Sequence, residues 1–300
     1  MKVLASGCTL LRGVFRTGAC ALLLGFAIGA HAQTVQRGSI TATPGATRPA
    51  SATVAPAVPA VPAVPAVPSR LDEILARGTL RICTTGDYKP YSFLRPDGQF
   101  EGIDIDAAQN LAQSLNVKAE FIKTSWSNLM NDFVAKCDIA VGGVSTSLER
   151  QKRAFFTQPY MVDGKTPIVR CADVDKYQSV AQIDQPGVRT IVNPGGTNEK
   201  FAKQFFTHSQ LIEYPDNVTI FKQILDGQAD VMVTDASETL LQQKLNPGLC
   251  SVHPDQPFQF GEKAYLLPRG DVVFQQYVDQ WLHLSRSTGE FQSVLDKWLK

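Results

Sequence analysis

Two loops in this chain carry side chains suited to holding a small anion, and a third loop and one carboxylate lie toward the same ligand site. Ser145-Thr146-Ser147-Leu148-Glu149-Arg150 follows an apolar run and gathers hydroxyls, free amides and a guanidinium in six residues. That set suits a carboxylate, because arginine presents a planar two-pronged fork and the loop adds directed donors. Asn193-Pro194-Gly195-Gly196-Thr197-Asn198-Glu199-Lys200-Phe201 places a glycine pair between a strand pattern and a helix pattern. The first N–H groups of such a helix lack internal partners, which makes the Thr197-Asn198 turn a second anion cradle. It is not a P-loop, since no G-x-x-x-x-G-K-[ST] is present. Read from the residues alone, Glu199 in that turn complements the helix dipole. Thr84 to Phe93 is a polar and aromatic loop in which Tyr88 and Tyr91 can wall a ligand. Asp235 ends the strand pattern Asp230 to Thr234 and points toward the same mouth.

Other chemistry finds no support. There is no G-x-S-x-G and no H-E-x-x-H, and beyond the leader only His208, His253 and His283 occur, too few for a triad or a ligand cluster. No metal and no cofactor are expected, so any reaction needs little beyond binding and one proton. The formal charge is +1, but the five basic residues before position 70 have no acidic counterpart, which leaves 24 Lys and Arg against 28 Asp and Glu in the body. A mildly acidic body argues against binding nucleic acid through phosphate neutralisation and for a small-molecule partner.

The elements that must position these loops alternate. Leu80 to Cys83, Ala119 to Ile122 and Ile139 to Val144 read as strands, with helical periodicity over Ile103 to Leu115 and Trp126 to Val134. The order recurs about a hundred residues on, with strands Thr190 to Val192, Gln210 to Tyr214 and Asp230 to Val233 and helices after Gly196, from Val218 and from Ala236. This is an α/β chain with two lobes of similar plan and a ligand cleft between them, beyond the carboxyl ends of the strands. We expect lobe 1 over residues 70–167 and 263–300 and lobe 2 over 168–262. The run Val272 to Leu299 reads as amphipathic helix, with Trp281 and Trp298 as packing residues.

Lys2, Arg12 and Arg16 precede the apolar run Ala19 to Ile28, and Ala30-His31-Ala32 supplies an A-x-A site, the pattern of a signal peptide over residues 1–32 cleaved near Ala32. The apolar run is too short to span a bilayer, so no stable membrane insertion is expected after cleavage. Residues 33–69, rich in Ala, Thr and Pro with Ala-Val-Pro repeated, form a linker that can pair into neither helix nor sheet. Past the leader remain Cys83, Cys137, Cys171 and Cys250, in no C-x-x-C arrangement. Export permits disulfides, and Cys171 and Cys250 each lie near the end of an apolar run beside turn residues. Four cysteines allow three full pairings, and the sequence selects none of them. Oligomeric state is equally unspecified.

The body from about Ser69 resembles the type II periplasmic solute-binding proteins for amino acids, through Tyr88-x-Pro90-Tyr91, Gly102-Ile103-Asp104-Ile105-Asp106, Ser147-x-x-Arg150 and Phe156-x-x-Pro159-Tyr160. Within that superfamily it is more similar to the periplasmic cyclohexadienyl dehydratases, through Thr84 to Pro90, Thr124-Ser125-Trp126-x-Asn128-Leu129-Met130, Leu148 to Gln151, Asp163-Gly164-Lys165-Thr166-Pro167, Asn193 to Phe201 and Pro215 to Phe221. The resemblance implies a two-lobed periplasmic-binding-protein-like fold and removal of water and carbon dioxide from prephenate, giving phenylpyruvate, or from arogenate, giving phenylalanine. It implies Glu199 as general acid, Arg150 and the Thr197 loop as holders of a substrate carboxylate, Trp126 as a pocket wall, and a bridge between Cys171 and Cys250; it leaves Cys83 and Cys137 open. For that role Glu199 must be raised above the usual ~4.3 of a glutamate, with burial and substrate charge outweighing the helix terminus. The competing expectation is a non-catalytic amino-acid receptor of a transporter, in which Asp235 pairs with a ligand ammonium.

Overall fold

The computed structural model describes residues 68–299. The expected signal segment, and the expected linker as far as residue 67, lie outside the described residues. Ser69 belongs to the folded body: its hydroxyl accepts from the Leu71 amide and Asp72 reaches back to the Ser69 amide, a capping box that starts α1 (Arg70–Arg77). β1 (Thr79–Thr84) follows, then β2 (Asp87–Tyr88), β3 (Ser92–Leu94) and β4 (Phe100–Glu101), which form a small antiparallel sheet of their own. α2 (Ile103–Ser114), β5 (Lys118–Lys123), α3 (Leu129–Lys136), β6 (Ile139–Ala140), α4 (Leu148–Gln151) and β7 (Ala154–Phe156) complete the outward path through the first lobe.

The second lobe comprises β8 (Met161–Arg170), a 3-10 turn at Cys171–Lys176, α5 (Val180–Ile183), β9 (Arg189–Val192), α6 (Thr197–Phe205), β10 (Gln210–Glu213), α7 (Ile220–Leu225), β11 (Val231–Asp235), α8 (Ala236–Leu245), β12 (Leu249–Ser251) and β13 (Gln259–Lys263). The chain then returns with β14 (Leu266–Pro268), α9 (Val272–Ser287) and α10 (Glu290–Leu299). The first sheet has the order β5-β1-β6-β14-β7, with β1 parallel to both neighbours. The second has the order β10-β9-β11-β8-β12, with β13 also pairing β8.

Buried apolar side chains explain why these runs become these elements. Ile74, Leu80, Ile82, Leu111, Phe274 and Val278 are fully buried in one cluster that ties α1, β1, α2 and α9 together, each stabilising the lobe by about 1.5–3 kcal/mol. Trp281 joins this cluster and Trp298 packs at its edge, both as packing residues. In the second lobe Val169, Val192, Phe201, Val231 and Val233 form the core on one face of the sheet, and Ile168, Ile191, Phe221 and Met232 on the other. Strands covered on both faces carry near-continuous apolar runs, and these do.

Two expectations on extent differ from the structure. The C-terminal helical run is broken between α9 and α10, where Gly289 takes φ +83°. The boundary expected after residue 167 falls inside β8, which pairs in the second sheet from Met161 opposite Lys263 to Arg170 opposite Leu249. The chain therefore crosses between Phe156 and Met161, because Asp163 to Thr166, which look like a polar break, are strand residues of the second lobe.

Both cysteine pairs are bridged: Cys83 with Cys137, which pins the end of α3 to β1, and Cys171 with Cys250, which ties the end of β8 to β12. The second closes a segment with a sequence separation of 79, and constraining such a loop in the unfolded chain stabilises the fold by roughly 2–4 kcal/mol. The double variant Cys171→Ser, Cys250→Ser is expected to lose that much, read as a lower urea midpoint in equilibrium unfolding.

Candidate active site

The cleft between the lobes is closed around a cavity of about 20 Å³, lined by Tyr88, Trp126, Gly143 and Ser145 from the first lobe and by Asn193, Gly196, Thr197, Asn198, Asn217 and Asp235 from the second. That volume is close to the space of one water molecule, so anything larger enters only when the lobes part. Gly195, at φ +90°, lies so close to the first lobe that a Cβ there would stand 2.4 Å from the Ser127 backbone nitrogen. No other residue permits this approach. The lobes are further joined by Lys200 to Glu149, by the Asn217 amide to the Asp87 carbonyl at 3.1 Å, and by Tyr91 OH to Ser237 Oγ at 2.7 Å.

The chemistry gathers on Asp235, the last residue of β11. Its Oδ1 accepts from Lys165 Nζ at 2.7 Å, and its Oδ2 accepts from Lys263 Nζ and from Tyr88 OH, both at 2.5 Å. Lys165 also donates to Thr197 Oγ1 at 2.9 Å and to Asn198 Oδ1. Lys263, fully buried, also reaches the Gly143 carbonyl and Ser145 Oγ, each at 3.1 Å, and lies over the Tyr88 and Tyr91 rings. Burial alone would raise the Asp235 carboxyl, but the two ammonium groups overcome it and hold the acid below the ordinary carboxylate range. Burial likewise lowers Lys165, and Asp235 opposes that shift.

Behind this network stands Asp104, in the first turn of α2. It accepts from the Gly142 and Gly143 amides at 2.8 and 2.7 Å and from Tyr160 OH at 2.8 Å. It thereby fixes the Gly142-Gly143 turn, whose carbonyl meets Lys263. Gly143 adopts φ +71° with the Tyr88 and Tyr91 rings packed against it, so a side chain is excluded there as well.

The sequence-selected residues divide. Tyr88, Trp126, Ser145, Thr197, Asn198 and Asp235 line the cavity together. Ser147 does not: its hydroxyl caps α4 by accepting from the Arg150 amide. Arg150 is 7% exposed, donates Nη1 to the Ser145 carbonyl at 2.7 Å, and borders an adjoining cavity of about 170 Å³ with Trp126, Ser127, Gly195 and Lys200. Burial pushes its guanidinium down to about 10, against the pull of Glu149 and Asp235. It stays cationic at neutral pH, a fork suited to a carboxylate.

Glu199 departs from expectation. Burial raises its carboxyl, but Lys203 on Oε1 and the Gly195 amide on Oε2, at 2.6 Å, outweigh burial and hold it below the ordinary glutamate value. Its side chain is 16% exposed, and it sits beside the cavity-lining turn rather than on the wall.

Lys165, Lys263, Asn217 and Glu238 were not selected from sequence. A lysine within the apolar strand Met161–Arg170 is the one local sign of Lys165. Asn217 Oδ1 is buried with no hydrogen-bond partner, an acceptor open to a ligand hydroxyl. Glu238, on α8, is 1% exposed and accepts from Thr234 Oγ1 at 2.6 Å, while that hydroxyl accepts from the Asn198 amide at 2.8 Å.

Residues 80–300 match the model for bacterial extracellular solute-binding proteins, family 3. Over 233 residues the chain is 54% identical to a cyclohexadienyl dehydratase of Pseudomonas aeruginosa, covering 77% of this chain and 87% of that one. Among solved structures it is similar to the ancestral amino acid-binding protein AncCDT-1, described as a precursor of cyclohexadienyl dehydratase, with TM-score 0.72, 35% identity and coverage of 77% and 100%. It is also similar to the arginine-bound transporter substrate-binding protein AbpA of Streptococcus pneumoniae, with TM-score 0.70, 26% identity and coverage of 76% and 97%. Among the described residues no helix is long and apolar enough to cross a membrane.

Burial raises Glu238 from 4.5 to about 8. The folded state then holds a proton that the unfolded chain releases, so stability falls as pH rises from about 4.5 to about 8. Glu238→Gln, which mimics the protonated acid, is expected to flatten that decline, and thermal melts at pH 5 and pH 8 measure it.

Proposed function

Because the chain belongs to family 3 of the bacterial extracellular solute-binding proteins, we propose that it is a cyclohexadienyl dehydratase built on that receptor fold, exported to the periplasm with cleavage near Ala32. The observation that carries this reading is the 54% identity to a dehydratase over most of both chains, twice that to the arginine-bound receptor. The substrates are prephenate, giving phenylpyruvate, and arogenate, giving phenylalanine.

Prephenate carries a carboxylate on one ring carbon and a hydroxyl on the carbon opposite. Proton transfer from the Glu199 carboxyl to that hydroxyl turns it into leaving water. As the C–O bond breaks, the bond to the ring carboxylate breaks too, its electron pair enters the ring, and carbon dioxide departs. Aromatisation supplies the driving force, while the protein supplies the proton and the geometry. Arg150 holds a substrate carboxylate through its fork, the Thr197-Asn198 turn adds hydrogen bonds, and Tyr88 and Trp126 flank the ring. The anionic substrate opposes Lys203 and the Gly195 amide, raising Glu199 so that it carries a proton when the lobes close.

Incubation with prephenate and detection of phenylpyruvate by absorbance tests the activity. Tight binding of common amino acids without product instead supports the transport receptor. General acid catalysis contributes about 10²–10⁴-fold, so Glu199→Gln is expected to lower kcat by that factor and to leave the Kd for phenylpyruvate, measured by calorimetry, nearly unchanged. Lys203→Met removes the cation that lowers Glu199. The acid then stays protonated to higher pH, and the alkaline limb of the kcat/KM profile is expected to move upward.

A further inference from the structure

Most polar side chains on the wall of the interlobe cavity already have partners within the protein. Tyr88 and Lys165 donate to Asp235, Lys263 to Ser145 Oγ and Lys165 to Thr197 Oγ1. Both prongs of the Asn198 amide are engaged, by Lys165 and by Thr234. Asn217 differs. It lines the cavity and is 5% exposed, and its Oδ1 is buried with no hydrogen-bond partner. Its Nδ2 meets the Asp87 carbonyl at 3.1 Å, and a carbonyl can only accept, so the other prong is the acceptor. The loop that presents it is braced. Asn193 Nδ2 donates to the Pro215 carbonyl at 3.0 Å, and Asp216 Oδ1 accepts from the Val218 amide at 3.0 Å. Asn193 also opens the segment that carries Glu199, so one side chain ties the Asn217 loop to the turn of the acid.

A buried acceptor left unpaired is destabilising, so this wall calls for a ligand that brings a donor. Carboxylate and keto oxygens only accept. The one donor that prephenate and arogenate share is the ring hydroxyl. We propose, resting on the dehydratase reading, that Asn217 Oδ1 accepts the hydrogen of that hydroxyl and so turns the oxygen's lone pairs toward the acid. No proton passes to Asn217. The acid's proton becomes the second hydrogen of the water, the C–O electron pair leaves with that water, and the pair from the ring carboxylate bond enters the ring. Positive charge grows on the departing oxygen as it is protonated, which makes its O–H a stronger donor. The bond to Asn217 therefore tightens in the transition state and accelerates the step rather than only binding the substrate. A carboxylate in the same place would instead compete for the proton.

Two measurements test it on the whole protein. In the first, Asn217→Ala is expected to lower kcat for prephenate by about tenfold or more, and to change the Kd for phenylpyruvate, which has lost the hydroxyl, far less. In the second, phenylpyruvate and 4-hydroxyphenylpyruvate are titrated calorimetrically; the latter adds a donor at the ring position that carries the hydroxyl in prephenate. Wild type is expected to bind the hydroxylated acid about three- to tenfold more tightly, and Asn217→Ala to lose that preference. If Asn217 only joins the lobes through the Asp87 carbonyl, the variant weakens both acids alike and keeps the preference, which overturns the proposal. Equal or reversed preference in wild type overturns it as well and requires no variant to fold. If prephenate is not turned over, the dehydratase reading fails, and the calorimetric comparison still decides whether Asn217 receives a ring hydroxyl.

Discussion

One buried carboxylate held between two buried ammonium groups organises this molecule. Removing one partner of a buried ion pair leaves an uncompensated charge and costs about 3–5 kcal/mol, so Asp235, Lys165 and Lys263 constrain everything around them. Strand register places Lys165 opposite Asp235. The Gly142-Gly143 turn, itself held by Asp104, gives Lys263 a carbonyl to bind. Tyr88 completes the shell from the other lobe and makes closure part of satisfying the charge.

Two glutamates on neighbouring helices show how environment divides one side-chain type into two states. Glu199 has a cation and a backbone amide and is held ionised. Glu238 has a single hydroxyl donor, with Asp235 as a like-charged neighbour, and is held neutral. Paired carboxyl groups with values pushed apart by their surroundings are the ordinary basis for dividing acid and base roles. Here the ionised one sits beside the cavity-lining turn, and the neutral one orders that turn from behind through Thr234 and Asn198.

The alternation of apolar strands with helical patterns was legible in the sequence, and so were the strand-end loops that meet in the cleft, because both follow from local periodicity and turn chemistry. Tyr88, Ser145, Thr197, Asn198 and Asp235 converge as those patterns imply. Lys165 and Lys263 were not legible. A lysine at one position of a strand ordinarily faces solvent, and only the pairing of β8 with β11 and β13 turns these two inward. The same ambiguity displaced the lobe boundary into β8, and Ser147 was misjudged because one hydroxyl serves equally as ligand contact or helix cap. Glu238 on a helix looks like a surface acid until β11 and β12 are packed against it.

Lys263 closes β13 at the point where the chain returns to the first lobe, and its backbone carbonyl accepts from Tyr160 at the other crossing, at 2.9 Å. The residue that sets the charge of the pocket is thus also a pivot of the joint. Substitutions that retune which ligands are admitted will therefore also shift how often the molecule stands open, and a lineage changing one property will drag the other with it.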